Sequence, residues 1–323
     1  MAHNETTDVH DTDLPAVSES DRAAGKAYES DAYKWYVLAV LAVVYGLNFI
    51  DRQLLVILQE PIKAELMLSD TQLGLLTGFA FVIFYVICGI PIARLADRGN
   101  RRTIIAIALS TWSIMTALTG MAQNYTQMVL ARIGVGIGEA GGSPPSHSMI
   151  SDMFAPNKRA TALAVYASGI YLGILAGYII GGWLSQYIGW RQTFLVIGLP
   201  GVLLAVLVRM TIKEPPRGFS QDTPVSHAPS MPTFMEVLHV LWSRPAFRHL
   251  CFAASAQGMV GYGTGNWMPS YYLRNFDISL PELATWLGLV GGLAGIVGVL
   301  LGGYLVDRLS VKDMRWMMWL PGI

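Results

Sequence analysis

Ala93-Arg94-Leu95-Ala96-Asp97-Arg98 returns 210 residues later as Gly303-Tyr304-Leu305-Val306-Asp307-Arg308. At the same offset, Ser69-Asp70-Thr71-Gln72-Leu73-Gly74 corresponds to Ser279-Leu280-Pro281-Glu282-Leu283-Ala284, each a Ser-x-x-Gln/Glu helix start of the capping-box type. No gap is needed between the two anchor points. Two matches in register point to an internal duplication, and the offset fits a unit of six helices. A second unit opening near Phe247 then needs about four helices more than the sequence holds, so the chain is expected to be a fragment.

The stretches between the anchors are apolar. Of 323 residues 53% are hydrophobic and 14% charged, little more than half the charged fraction of a soluble domain. Eight runs have roughly the 17 to 25 residues that cross about 30 Å of hydrocarbon as helix: Tyr36 to Leu58, Leu73 to Leu95, Ile104 to Met121, Met128 to Ile150, Ala160 to Tyr187, Thr193 to Val208, Leu250 to Tyr272 and Leu283 to Val306. A ninth opens near Met314. The fold class is therefore an all-α membrane protein. Fourteen Lys and Arg residues occupy the loops after the even-numbered spans, against only Lys63, Arg191 and Arg274 on the other side. That asymmetry places the amino terminus and the even loops in the cytoplasm of an inner-membrane, multi-pass protein.

Four segments follow. Residues 1–34 are polar and acidic and read as a disordered cytoplasmic tail, 35–210 as a six-helix bundle, 211–246 as a linker rich in Pro, Ser and charge, and 247–323 as part of a second bundle. Within the linker, Pro232-Thr233-Phe234-Met235-Glu236 and the apolar residues after it predict a short amphipathic helix, either on the membrane surface or against cytoplasmic loops. Cys88 and Cys251 lie inside spans and read as small apolar side chains.

Four charges sit where a lone charge costs roughly 2.5 to 3.5 kcal/mol: Asp51 and Arg52 in span one, Arg132 and Glu139 in span four. Asn48 shares a face with Asp51 and Arg52, and the seven-residue spacing puts Arg132 and Glu139 on one face. From the outer ends, Asp51 and Arg132 lie at similar depth and are expected within reach of each other. We expect Arg52 and Arg132 to bind the anionic part of a solute, and Asp51 and Glu139 to accept and release protons. The alternative is a buried ion-pair lock between spans one and four. Gln257, Gly261, Tyr262, Gly263 and Asn266 of span seven form the expected opposite wall, with Asn48, Tyr262 and Asn266 among the solute contacts. Gly169, Gly173, Gly177 and Gly181 give span five a strip that admits a close helix partner. Gly141-Gly142-Ser143-Pro144-Pro145 should bend or end the helix of span four.

The loop Asp97-Arg98-Gly99-Asn100-Arg101-Arg102, echoed after span eight, resembles the signature of the major facilitator superfamily, although Ala93 stands where glycine is usual. Asn48-Phe49-Ile50-Asp51-Arg52, Arg132-Ile133-Gly134-Val135-Gly136-Ile137-Gly138-Glu139-Ala140 and Lys213-Glu214-Pro215-Pro216-Arg217-Gly218 are similar to the spinster group within it. This resemblance implies a major facilitator fold of two helical bundles rocking about a central cavity. It implies a gate at Asp97, Arg98, Arg101, Arg102, Asp307 and Arg308, where ion pairs from Asp97 hold the outward-open state. Arg101 and Arg102 are also expected to face anionic lipid headgroups.

The resemblance further implies a proton-coupled secondary transporter of an amphipathic anion, such as a lysophospholipid or sphingoid phosphate. The alternative within the class is a carrier of small organic acids or drugs. The expected partners are that solute, protons and membrane lipids, with no nucleic acid, cofactor or metal, and a monomer is expected. Two other classes compete: a multi-span membrane enzyme using Glu139 and His147 as acid and base, which lacks a metal-ligand cluster, and a channel, for which no pore loop is present.

Overall fold

The computed structural model describes residues 25–220, 233–311 and 313–320. Span one is a single helix, α1 (Asp31–Ile57), followed by a short outer helix α2 (Gln59–Leu66). Span two is α3 (Asp70–Thr77) and α4 (Phe79–Arg98), joined at Gly78. Span three is α5 (Arg101–Thr119), and span four is α6 (Tyr125–Glu139) with α7 (Ser143–Met153). Spans five and six follow each other without a loop as α8 (Pro156–Thr211), two helices that meet in a reversal at Gly189, where φ is 76° and ψ 163°. That left-handed φ is open to glycine at little strain, so Gly189 makes the outer turn without a loop. The linker helix is α9 (Phe234–Trp242) and span seven is α10 (Pro245–Asn275). Span eight is α11 (Leu280–Gly288), a π-turn over Leu289–Leu293 and α12 (Ala294–Ser310), and α13 (Trp316–Trp319) follows.

Among the described residues, five helical runs are long and apolar enough to cross a membrane: Asp31–Ile57, Asp70–Arg98, Arg101–Thr119, Lys158–Thr211 and Leu280–Ser310. Lys158–Thr211, at 54 residues, has length for two passes. Span four is missing from that group because its helix is interrupted at 140–142, and span seven because Gly, Ser, Gln and Asn dilute its hydropathy. In span four the glycines make the break. Pro144 and Pro145 instead occupy the first turn of α7, where a missing N–H removes no helical bond.

The starts of α3 and α9 are complete capping boxes, at Ser69 with Gln72 and at Thr233 with Glu236. At Ser279 only half of the expected box forms: its hydroxyl accepts from the Glu282 N–H, without the reciprocal bond. Residues 25–34, expected within the disordered tail, are ordered. Tyr28 is fully buried and donates to the Lys213 carbonyl at 2.5 Å, while the Lys213 N–H donates to the Tyr33 hydroxyl at 2.8 Å. Apolar burial of a ring and satisfied linker backbone groups hold this piece down. Residues 1–24 and 221–232 lie outside the described residues.

The core is two apolar layers. One lies toward the end of the bundle that carries the Arg101 loop, built on Val37, Leu38, Leu41, Trp112, Met149 and Val208. The other lies toward the opposite end, at the Gly189 turn, built on Leu54, Ile57, Leu58, Leu73, Met128 and Phe194. The glycine strip of span five packs on span one: a Cβ on Gly173 would lie 2.7 Å from the Phe49 Cβ, and one on Gly177 3.0 Å from the Gln53 Cβ. Span eight lies along span five through its own small residues. A Cβ on Gly288 would meet Ile179 at 3.0 Å, and one on Gly292 would meet Leu175 at 2.5 Å.

Candidate functional site

Between the two apolar layers, span one passes from Val44 to Leu54 through Asn48, Asp51 and Arg52, and span four supplies Arg132 and Glu139. Asn48, Asp51, Arg132 and Glu139 are each at most 4% exposed. The geometry brings these residues together, although the partners differ from the expected ones. Arg52 pairs with Glu139: its Nε donates to Oε2 at 2.8 Å and its Nη2 lies 2.7 Å from the same oxygen. Asp51 and Arg132, expected to meet, form no ion pair among the described residues; Asp51 lies beside Thr116 of span three, with Glu139, Arg132 and Arg52 around it.

Local sequence explains why the charges converge. Gly136 lies between Arg132 and Glu139, and a Cβ there would fall 2.7 Å from the Phe81 carbonyl oxygen, so its bare backbone lets span two approach. The Phe81 ring then carries both cations, with the Arg52 guanidinium 4.7 Å and the Arg132 guanidinium 5.3 Å from its centroid. Phe49 and Tyr85 add faces to Arg52 at 5.0 and 5.3 Å. Such contacts offset part of the desolvation of a guanidinium.

The cluster is not internally satisfied. Asn48 Oδ1, Thr116 Oγ1, Arg132 Nε and Glu139 Oε1 are buried without a hydrogen-bond partner among the described residues. An unmet polar atom in a low-dielectric site costs about 1–3 kcal/mol, so atoms of this kind mark a place for water or a polar ligand. Around them stand phenols from four spans: Tyr45, Tyr85, Tyr166 and Tyr262. Tyr45 and Tyr166 stack at 4.5 Å with an interplanar angle of 3°. Tyr262 belongs to span seven and neighbours both Tyr45 and Arg52. Asn266 does something else: its backbone carbonyl accepts from Gln59 Nε2 at 2.7 Å, tying span seven to the outer end of span one.

That bond belongs to an outer seam. Arg274, after span seven, holds Glu60 at 2.7 Å and Asp70 at 2.7 Å, and Lys63 holds Asp70 at 2.6 Å. Trp183 Nε1 donates to Thr285 Oγ1 at 2.9 Å across spans five and eight. Arg191 pairs with Glu65 at 2.8 Å, and this bond together with one from Trp190 holds the Glu65 carboxyl below its ordinary range. Sequence reasoning missed Gln59, Glu60, Asp70 and Arg274 as a group. The signal was the charge asymmetry itself, since each of the three outer cations, Lys63, Arg191 and Arg274, has found a carboxylate.

The loop between spans two and three is arranged differently from the expectation. Arg101 is fully buried and enclosed by Asp152, Glu214, Ser148 and the Pro215 carbonyl. It clamps the ends of spans three, four and six and does not reach lipid headgroups. The Arg102 N–H donates to Glu214 at 2.9 Å, and its guanidinium to the Ile212 carbonyl at 3.1 Å. Asp97 and Arg98 are exposed and form no ion pair among the described residues. Arg308 lies over the Tyr304 ring at 4.7 Å, and the side chain of Asp307 lies outside the described residues.

A sequence model described as Major Facilitator Superfamily matches residues 41–323. The chain is 37% identical over 286 residues to an MFS-type efflux pump of Mycolicibacterium smegmatis, covering 88% of this chain and 65% of that protein. It is 29% identical over 277 residues to a probable L-galactonate transporter of Escherichia coli, covering 83% and 60%. A crystal structure of a bacterial homolog to the human lysosomal transporter Spinster, inward-facing and unoccupied, matches with a TM-score of 0.76 at 35% identity, covering 88% of this chain and 64% of that one. The chain thus spans 60 to 65% of the length of these relatives.

Proposed function

Because this chain belongs to the major facilitator superfamily, we propose that it carries out alternating-access, proton-coupled transport of an amphipathic anion such as a lysophospholipid or sphingoid phosphate. The observation that carries the reading is the Arg52–Glu139 pair beside Asp51 and Arg132, set between two apolar layers with four polar atoms unmet. Two guanidiniums on one aromatic ring suit an anionic headgroup, and the surrounding phenols and phenylalanines suit the apolar remainder. Asp51 and Glu139 are the proton carriers. Anion arrival competes with Glu139 for Arg52, and a carboxylate that loses its cation in a buried site takes up a proton more readily.

The outer seam at Gln59, Glu60, Asp70, Arg274 and Asn266 is the closed gate of an inward-facing arrangement. Asp97, without an ion pair among the described residues, fits that state, since its ion pairs belong to the outward-open one. In this reading residues 35–210 are the first bundle, 211–246 the cytoplasmic linker and 247–323 part of the second, with the amino terminus in the cytoplasm of an inner membrane.

Small organic acids are the second reading. It is favoured by the hydroxyls of Tyr45, Tyr85, Tyr166 and Tyr262 near Arg52 and by the likeness to a probable L-galactonate transporter. Counterflow in proteoliposomes with labelled lysophospholipids, sphingoid phosphates and sugar acids separates the two. Exchange of a lipid anion is the expected result. Exchange of sugar acids alone overturns the lipid assignment and keeps the transport class.

A further inference from the structure

Below the charge cluster, on its cytoplasmic side, span four carries a titratable group that the mechanism above does not use. His147 sits on α7, eight residues after Glu139 and six before the helix ends at Met153, roughly 9 Å from that cytoplasmic end at 1.5 Å per residue. It is exposed, while the residues flanking this part of the helix, Pro145, Ser146, Met149 and Ile150, are buried. Its ring stands edge-on to Tyr166, with centroids 5.2 Å apart at 85°. Tyr166 is 2% exposed and lies flat on Tyr45. Ser143, on the first turn of α7 between Glu139 and His147, faces both phenols. One oxygen of Glu139 pairs with Arg52, and the other has no hydrogen-bond partner among the described residues.

Span four sets these groups in succession. Glu139 ends α6, Ser143 opens α7 beside Tyr45 and Tyr166, and His147 stands edge-on to Tyr166 one turn further on. The break at 140–142 matters here, because it ends α6 at Glu139 and lets α7 restart with Ser143 toward the phenols. The other charged side chains at α7 are engaged elsewhere: Arg101 of span three is enclosed by Asp152 and Glu214. The remaining groups near this region are Tyr45 of span one, Tyr85 of span two, Trp112 of span three and Tyr166 of span five, with the cations Arg52, near Tyr45, and Arg159, which donates to the Ser151 carbonyl of α7 at 2.8 Å.

We propose that His147 is the cytoplasmic proton station of this transporter. The carboxylic acid of Glu139 loses its proton along the hydroxyl series and intervening water, leaving a carboxylate paired with Arg52 and forming an imidazolium at His147. The imidazolium then releases the proton to cytoplasmic water and returns to the neutral ring; the reverse sequence loads Glu139 when the pH gradient is inverted. Imidazole suits this duty because its unperturbed pKa lies within the physiological range, so it takes up and releases a proton with little driving force. The inference rests on the reading of Glu139 as proton carrier.

The test uses the full-length transporter in proteoliposomes with a substrate found by counterflow. His147→Gln is compared with wild type in net uptake driven by a pH gradient and in counterflow, which needs no net proton transfer. The expected result is a tenfold or larger fall in net uptake with counterflow continuing, and loss of the limb of the pH profile near neutrality. His147→Ala with imidazole added on the cytoplasmic side should recover several-fold of the lost rate, a response that a packing role would not give. Wild-type net uptake and pH profile in His147→Gln overturn the proposal, as does an equal loss of net uptake and counterflow without imidazole rescue. Glu139→Gln keeps the two readings apart: if its net uptake still follows the pH gradient, the assignment of Glu139 fails whatever His147→Gln does.

Discussion

Replacing Glu139 by glutamine removes one charge from the Arg52 pair while keeping the shape of the side chain. The Glu139 side chain is fully buried and that of Arg52 is 16% exposed, so both ends are poorly hydrated. Removing one partner of such a pair costs about 3–5 kcal/mol, because an uncompensated charge remains. Glutamine still offers an oxygen to Arg52 Nε, and a hydrogen bond to a charged group returns roughly 1.5–3 kcal/mol. The rings of Phe49, Phe81 and Tyr85 continue to hold the guanidinium. The net loss for Glu139→Gln is therefore about 2 kcal/mol, against about 4 kcal/mol for Glu139→Ala, which leaves no acceptor. A cycle of Glu139→Gln, Arg52→Met and the double variant, followed by denaturant unfolding in detergent, should give a coupling of about 2 kcal/mol. Additive effects, or equal losses for the glutamine and alanine variants, refute the argument that this ion pair joins spans one and four.

Arg274→Ala should release Glu60 and Asp70 and shift the protein toward an outward-open population; labelling of a cysteine placed at Gln59 should then quicken several-fold, and unchanged labelling removes the outer seam as a gate. Gly173→Ala introduces a Cβ 2.7 Å from that of Phe49 and should destabilise by about 1–3 kcal/mol in a thermal melt. Gly89→Ala, with nothing within 4 Å, should not destabilise and serves as the control. Acid titration of the outer turn should report Glu65: Arg191 and Trp190 lower its pKa on folding, so its contribution is present above the unfolded carboxylate value, about 4.3, and is lost as pH falls through the lower folded value. Glu65→Gln should flatten that acid limb of stability, and an unaltered limb contradicts the assignment.

The spans and the charged face were legible because hydropathy and helical spacing act locally. Asn48, Asp51, Arg132 and Glu139 stand out in any apolar run, and each is buried in the structure. Which cation meets which carboxylate was not legible. Depth along the helices put Asp51 opposite Arg132, whereas the approach of Phe81 to Gly136 and the direction of each side chain made Arg52 and Glu139 the pair. Arg101 read as a surface base from its loop, because its partners Asp152 and Glu214 lie 51 and 113 residues away and no local pattern announces them. The interruption of span four was expected from its prolines but lies at the preceding glycines, since proline is well suited to the first turn of a new helix. The outer seam was hidden for a similar reason, as Glu60, Asp70 and Arg274 come from different spans and each alone reads as an ordinary loop charge.

The central claim is that buried carboxylates of spans one and four move protons together with an anionic solute. Proton flux recorded with a pH dye inside proteoliposomes, on addition of a substrate identified by counterflow, tests it most directly. Substrate-dependent flux in the wild type and none in Glu139→Gln is the predicted result; equal flux in both, or solute movement with no flux in the wild type, contradicts it.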